Sequence, residues 1–358
     1  MISASRSYLS RLYGRRARIF TGRIPTGSAL SALLFGIGLA CSSSAAATRT
    51  APHSKHPSSV VVATTGGVIG AAQQTALWNA WRKQSHNRLR VVTWDSSLPE
   101  LEKNLHGGEK SAWSLVMAEG SLLQFGCDQG WFAPESPDAK CGVPALSSDT
   151  ALTWDRTRLE TEPDWRKFWD VAQHPGKRGL RRDPRTTLEI ALLSDGVAPA
   201  DIYRVLGTER GLDRAFRRLS QIRPYIVWWK TPDEATRILR SGAVFMAAVP
   251  VTDARALIAS RGGKKFSLSS APTLREKFGW AIPVRTDQTD DTTPPAQALL
   301  TWLSASEQTS RLSSTLPDSP NEDSPTPASR QQIIPLDETF WATHLKTIAP
   351  RFEQWLSP

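Results

Sequence analysis

Apolar residues in this chain come in two rhythms that alternate along its length. Short, mostly apolar runs, Val60–Ala63, Leu89–Trp94 and Ser114–Ala118, have the length and composition of strands. Between them, apolar residues recur three and four apart. Ala72, Ala76, Leu77, Ala80 and Trp81 share one face of a predicted helix, and Leu98–Leu105 predicts a second. Thr64-Thr65-Gly66-Gly67 ends the first strand, Glu119-Gly120 ends the third, and Leu122–Gly130 predicts a short helix. The middle of the chain repeats the style. Trp165–Val171, Thr187–Ser194, Ala200–Leu206, Gly211–Gln221 and Thr231–Ser241 predict helices, the last stopping at Gly242. Tyr225–Trp229 and Val244–Val249 predict strands, and Trp280–Pro283 ends another. Residues 313–330 are a polar, proline-rich loop, and Phe340–Leu356 is a final helix with Trp341, Leu345, Ile348, Phe352 and Trp355 available for packing. Strands alternating with helices predict an α/β protein with a mostly parallel sheet.

With 358 residues, 40% of them apolar and 14 of them Trp, the chain has the material for two domains. Its net charge of +10 suggests a nucleic-acid partner until the charges are located. Residues 1–47 hold six arginines and no acid, so subtracting them leaves +4 for the remainder. That segment reads as an export signal, with a basic start and a short apolar run, Ala29–Ala40, too short to span a bilayer as a helix. Two processing sites fit: Ala45-Ala46-Ala47 for an ordinary signal peptidase, or Gly38-Leu39-Ala40-Cys41 for a lipoprotein acylated at Cys41. Export places Cys127 and Cys141 in an oxidising compartment, where a bridge is the default and two buried thiols the alternative. A bridge there would close a loop of about 15 residues and contribute about 3 kcal/mol.

Five basic residues, Lys177, Arg178, Arg181, Arg182 and Arg185, crowd into the stretch HPGKRGLRRDP. As a basic patch they would grip an anion or nucleic acid; as a solvated loop they would do neither. Aromatic platforms for nucleic-acid bases are missing beside them, since Trp165 and Trp169 sit at helical spacing and read as core. No GxSxG, HExxH, P-loop or GxGxxG is present, and the histidines are scattered without metal spacing. Neither an enzyme, nor a metal site, nor a cofactor is expected.

Several stretches together carry a family likeness: WRKFWDVAQHPGKRGLRRDPRTTLEIALLSDGV (165–197), GLDRAFRRLSQIRPYIVWW (211–229), TRILRSGAVFM (236–246), the two cysteine segments, Trp280-Ala281-Ile282-Pro283, and FWATHLKTIAPRFEQWL (340–356). In order and spacing they resemble the periplasmic solute-binding proteins of ABC transporters, in the spermidine/putrescine-binding branch. The resemblance implies a type II periplasmic-binding-protein fold, two α/β lobes around a ligand cleft with hinge strands. On that reading residues 59–150 and 253–305 form one lobe, and 151–252 and 306–358 the other. It implies a periplasmic monomer that carries a small solute to a membrane permease, without nucleic acid. Ligand would sit at the carboxyl ends of strands, which singles out Thr65, Gly66, Glu119, Ser148, Asp149 and Trp229, and the resemblance places an acidic residue or its neighbour at Asp183 and Glu189. A polyamine asks for carboxylates at its amines and aromatic walls along its methylenes. Asp183 also reads as a partner of the neighbouring arginines, and Glu189 as a solvated helix residue. Two amine-gripping positions of the branch are replaced, by Pro250-Val251-Thr252 and by Phe278-Gly279. A polyamine, another small solute and a degenerate site therefore all stay open.

Overall fold

The computed structural model describes residues 59–85, 87–107, 113–134, 141–284, 293–317 and 332–357. The expected export signal, Cys41 and most of the 313–330 loop lie outside these residues. The first elements are β1 (Ser59–Thr64), α1 (Gly67–Gln73), α2 (Asn79–Ser85), β2 (Arg88–Thr93), α3 (Leu98–His106), β3 (Leu115–Glu119), α4 (Gly120–Asp128) and β4 (Val143–Asp155). Next come α5 (Trp165–Trp169), β5 (Arg178–Arg181), α6 (Pro184–Ser194), α7 (Ile202–Leu206), α8 (Glu209–Ile222), β6 (Ile226–Trp229), α9 (Pro232–Arg240) and β7 (Met246–Pro250). The chain closes with α10 (Val251–Ala259), β8 (Phe266–Leu268), β9 (Thr273–Ala281), α11 (Thr293–Leu303), α12 (Ser306–Thr315), β10 (Ile333–Pro335) and α13 (Glu338–Leu356).

These strands share one sheet in the order β2-β1-β3-β9-β4-β7-β5-β6, with β10 beside β9 and β8 beside β4. Its two ends are parallel: β1 with β2 and β3, and β5 with β6 and β7. Its centre is antiparallel, where β9 runs against β3 and β4, and β4 against β7. One consequence fixes the site. Both parallel ends aim their carboxyl termini at the middle of β4 and β9, because Glu119 pairs with Phe278 on one side and Thr150 with Pro250 on the other.

Local sequence accounts for most helix starts. Side chains of Ser97, Asp164, Asp183, Thr208 and Asp337 accept from backbone N–H groups in the first turns of α3, α5, α6, α8 and α13. Gly242, with φ of 75°, follows the end of α9, where a left-handed residue ends a helix at least cost. Gly67 is required for a different reason. A Cβ there would lie 2.5 Å from the Asp253 carboxylate, and φ is 61°.

Apolar clusters cover the sheet on both faces. One joins α3 and α4 to α5–α8 and α13, and Trp165 and Trp169 belong to it as expected. A second packs α1, α11 and α12 on β1, β3 and β9. A third packs α9 and α10 on β7 and β8. The final helix α13 touches both α4 and α6 and so spans the two ends of the sheet. Cys127 and Cys141 are joined, with 5.9 Å between their Cα atoms, tying the end of α4 to the approach of β4.

Candidate functional site

The basic stretch is not a solvated loop. Residues 178–181 form the buried strand β5, and Arg178, Arg181 and Arg185 are 0%, 7% and 0% exposed. Sequence reading missed this because charge outweighed the strand pattern in so short a run. Burial of a guanidinium demands partners, and each has them. Arg178 donates to the carbonyls of Phe168, Gly176 and His174. Arg182 is half-buried and pairs with Glu353, leaving Lys177 exposed. An anion- or nucleic-acid-binding patch over 177–185 therefore has no surface to present.

Arg185 is the knot at the centre. Its Nε and Nη2 chelate Asp183 at 2.8 and 2.7 Å, Nη1 lies 2.6 Å from Glu119 Oε2, and Nη2 donates to the Ser96 carbonyl at 2.5 Å. Among the described residues, the two non-glycine positions with left-handed φ are Ser96 (57°) and Thr186 (65°), and both adjoin this guanidinium. Such backbone costs about 1–3 kcal/mol per residue and persists where surrounding contacts impose it. At Thr186 it breaks the start of α6 and turns Arg185 inward, while Thr187 Oγ1 donates back to the Arg181 carbonyl.

Arg181 continues the series, with Nη2 2.6 Å from Glu119 and Nη1 3.3 Å from Glu276. It lines a cavity at the convergence point of the strands, together with Thr65, Ile69, Glu119, Ser148, Trp229, Glu276 and Phe278. The cavity offers about 40 Å³ to water centres, room for a few waters at about 10–15 Å³ each. Trp94 forms one wall, held by an Nε1–H bond to the Met117 carbonyl and edge contact with Trp113. Beside Glu119 Oε2, which faces Arg185 as an ion pair, two buried polar atoms of lining residues, Thr65 Oγ1 and Trp229 Nε1, have neither a hydrogen-bond nor an ion partner. Each such orphan costs about 1–3 kcal/mol unless a solute completes it.

Of the eight residues singled out from sequence, Thr65, Glu119, Ser148 and Trp229 line this cavity, and Gly66, Asp149, Asp183 and Glu189 do not. The strand period explains Asp149. Ser148 and Thr150 line the cavity, whereas Asp149 between them forms a two-pronged pair with Arg275 across β4 and β9. Asp183 is spent on Arg185 and on the α6 start. Gly66 precedes α1 with φ of 74° and supplies backbone only. Glu189 is neither solvated nor in the cavity. It is fully buried, and its Oε1 accepts from Trp341 Nε1 at 2.6 Å and from the Tyr203 hydroxyl at 3.1 Å. Burial pushes its carboxyl up to about 7. A raised carboxyl stabilises the fold while protonated, and that stability is lost as pH rises from its ordinary 4.5 through about 7. Glu189→Gln should therefore match the parent near pH 5 and exceed its stability at pH 8 by about 2–3 kcal/mol, read as urea midpoints at the two pH values.

Sequence reading does not assign Arg181, Glu276 or Trp94 to the cavity they line. Glu276 stands two residues before Phe278, on the same face of β9, so an acid lines the cavity one strand period before the position where the resemblance expects one. Contacts across the mouth join the sheet's two ends. The Gly67 N–H donates to Asp233 at 2.9 Å, the Val68 N–H to Asp253 at 2.9 Å, and Lys230 lies 3.3 Å from Asp95.

The profile of a family described as bacterial extracellular solute-binding protein matches residues 77–329, more than half of the chain. The gamma-aminobutyric acid-binding protein of Pseudomonas aeruginosa is 28% identical over 325 residues, covering 83% of this chain and 90% of that protein. Two solved structures share the architecture. The periplasmic binding protein MotA from A. tumefaciens B6, in complex with glucopine, aligns with a TM-score of 0.72 at 20% identity, over 84% of this chain and all of that one. AgtB from A. tumefaciens R10, in complex with agropinic acid, aligns with a TM-score of 0.69 at 18% identity, over 84% of this chain and 98% of that one. At such identities the structural likeness speaks for the fold, the two-lobed α/β fold of periplasmic binding proteins. None of these three relatives is named for a polyamine. With the family profile covering most of the described residues and the cavity lying between two sheet halves, the chain belongs to the bacterial extracellular solute-binding proteins.

Proposed function

We propose that the chain captures a small solute carrying both a protonated amine and a carboxylate, of the 4-aminobutanoate class, in the cavity between its lobes. Family membership makes it the solute-binding component of an ABC importer, working outside the cytoplasmic membrane and delivering to a permease, and not an enzyme. The observation that carries the choice of solute is Arg181 held between Glu119 and Glu276 at the cavity wall. A zwitterion can enter that series without breaking its alternation of charge. Its carboxylate takes the guanidinium from Glu276, and its ammonium takes the released carboxylate, in charge-assisted hydrogen bonds. Thr65 Oγ1 and Trp229 Nε1, both unpartnered, add donors for the carboxylate. Ile69, Trp94, Trp229 and Phe278 wall the methylenes between. The name of the Pseudomonas relative agrees with this class.

A polyamine, the expectation drawn from family resemblance, fits less well. It needs a separate carboxylate at each amine, whereas the acids here gather at one arginine, and the further charge at the rim is Lys230 beside Asp95. We place the lobe boundary at the crossing strands β4 and β9. That assigns α10 and β8 to the second lobe, and α12 to the first. Isothermal titration separates the solute classes. Binding of 4-aminobutanoate should exceed that of putrescine and of butanoate by about tenfold or more, since each lacks one of two charged contacts worth roughly 1.5–3 kcal/mol. Putrescine binding tighter than 4-aminobutanoate would restore the polyamine reading.

A further inference from the structure

The buried charges beside the cavity form a series that does not balance. Asp183, Arg185, Glu119, Arg181 and Glu276 follow one another as acid, base, acid, base, acid, with every link at 3.3 Å or less. Each residue is more than nine-tenths buried. Three carboxylates face two guanidiniums, so full ionisation leaves one negative charge without a cation. The surplus falls on Glu276. It ends the series, makes its longest contact at 3.3 Å, and lines the cavity.

Among the described residues, no other group makes up the difference. On β9 itself Arg275 is committed to Asp149, and Lys277 is exposed. From β4, the residue opposite Glu276 is the uncharged Ser148. From β3 comes Glu119, a second acid, and from β5 comes Arg181, already shared. Beyond β6, Lys230 lies against Asp95. A carboxylate buried at the end of this series is offset locally in one of two ways: it holds a proton, or an ammonium donates directly to it while the solute's own carboxylate is taken up by Arg181, Thr65 and Trp229.

Resting on the proposed solute class, we infer that Glu276 holds a proton in the empty site and exchanges it for the ammonium of the solute, so that capture releases about one proton to the solvent. No covalent bond forms between protein and solute. The O–H bond of the Glu276 carboxyl breaks, its proton leaves to buffer, and the N–H groups of the ammonium donate to the freed carboxylate. Burial, and then the charge of Glu119, push this carboxyl up to about 8, so the empty site is loaded at neutral pH. Glu276 is thereby the residue that reads the amine, and a solute without one leaves the proton in place.

Two measurements on the full chain test this. The first needs no solute: potentiometric titration of the parent against Glu276→Gln between pH 6 and 9.5. The parent should release about one proton more than the variant over this range. Equal release overturns the inference whatever the solute proves to be. The second is calorimetry with 4-aminobutanoate at pH 7 in buffers of low and high ionisation enthalpy. Observed enthalpies should differ by close to one proton's worth, and affinity should fall about tenfold from pH 9 to pH 7. The same titration with Glu276→Gln should show weaker, pH-independent binding without proton release. Binding by the parent with no proton exchange and a flat pH profile overturns the exchange. If 4-aminobutanoate fails to bind, the same experiment with putrescine decides. Proton release there supports the exchange and overturns only the zwitterion reading, whereas binding of neither amine overturns both.

Discussion

Replacing Arg185 with Gln is expected to lower the stability of the folded chain by about 3–5 kcal/mol, read as a shift in the urea unfolding midpoint. The guanidinium has no exposed surface and engages five partners at once: both oxygens of Asp183, one oxygen of Glu119, the carbonyl of Ser96 and the hydroxyl of Ser121. Glutamine cannot supply a charge, so Asp183 is left as a buried carboxylate without its principal cation. Lysine in its place should recover only part of the loss, because one ammonium cannot reproduce the planar fork that chelates Asp183 while reaching Glu119 and Ser96. An acid-limb signature accompanies this. Burial pushes the Asp183 carboxyl upward, but Arg185 and then Arg181 more than offset it and hold it below its ordinary 3.8. A depressed carboxyl contributes stability above that ordinary value and loses it as pH falls below. The variant should therefore show a shallower loss of stability between about pH 4 and 2. A decrease under 1 kcal/mol would place Arg185 outside the structural knot.

Arg181→Gln is the companion change, and its largest effect should fall on capture. Affinity for 4-aminobutanoate is expected to drop about a hundredfold or more, because the solute carboxylate loses its buried guanidinium partner on the cavity wall and the series loses its alternation. Glu119 and Glu276 would then face one cavity with no cation between them. Arg181→Lys keeps the charge, and should retain the fold with an intermediate affinity. Melting curves of both variants separate lost binding from lost structure. A folded Arg181→Gln protein that still binds within fivefold of the parent would remove this arginine from the site.

Much of the architecture is legible in the sequence. The runs at 60–63, 114–118, 225–229 and 244–249 became strands, since strands of this sheet interior are written as near-continuous apolar stretches, and 89–94, interrupted by Arg90, became the partly exposed edge strand β2. The strands that cross the centre are the least legible, and of β9 only the end at Trp280–Pro283 is read. The thirteen residues of β4 and the nine of β9 carry polar residues at cavity-facing positions, among them Ser148, Thr150 and Glu276, which blunt the apolar signal where function needs it. Strand β5 escaped because two of its four residues are arginines. Family resemblance singled out Thr65, Glu119, Ser148 and Trp229, which line the cavity. It did not separate cavity acids from structural ones. Asp149, Asp183 and Glu189 are acids of the right neighbourhood whose partners, Arg275, Arg185 and Trp341, come from distant sequence or from a distorted helix start. A sequence alone carries no sign of those pairings.

The most direct measurement is a crystal structure of the full chain grown with 4-aminobutanoate. The expected result is solute between Arg181 and Glu276, walled by Trp94 and Phe278, with the Gly67–Asp233 and Val68–Asp253 contacts closed over it. The contrary result is an Arg181 still clamped between Glu119 and Glu276, with the cavity filled by the protein's own side chains and no solute inside.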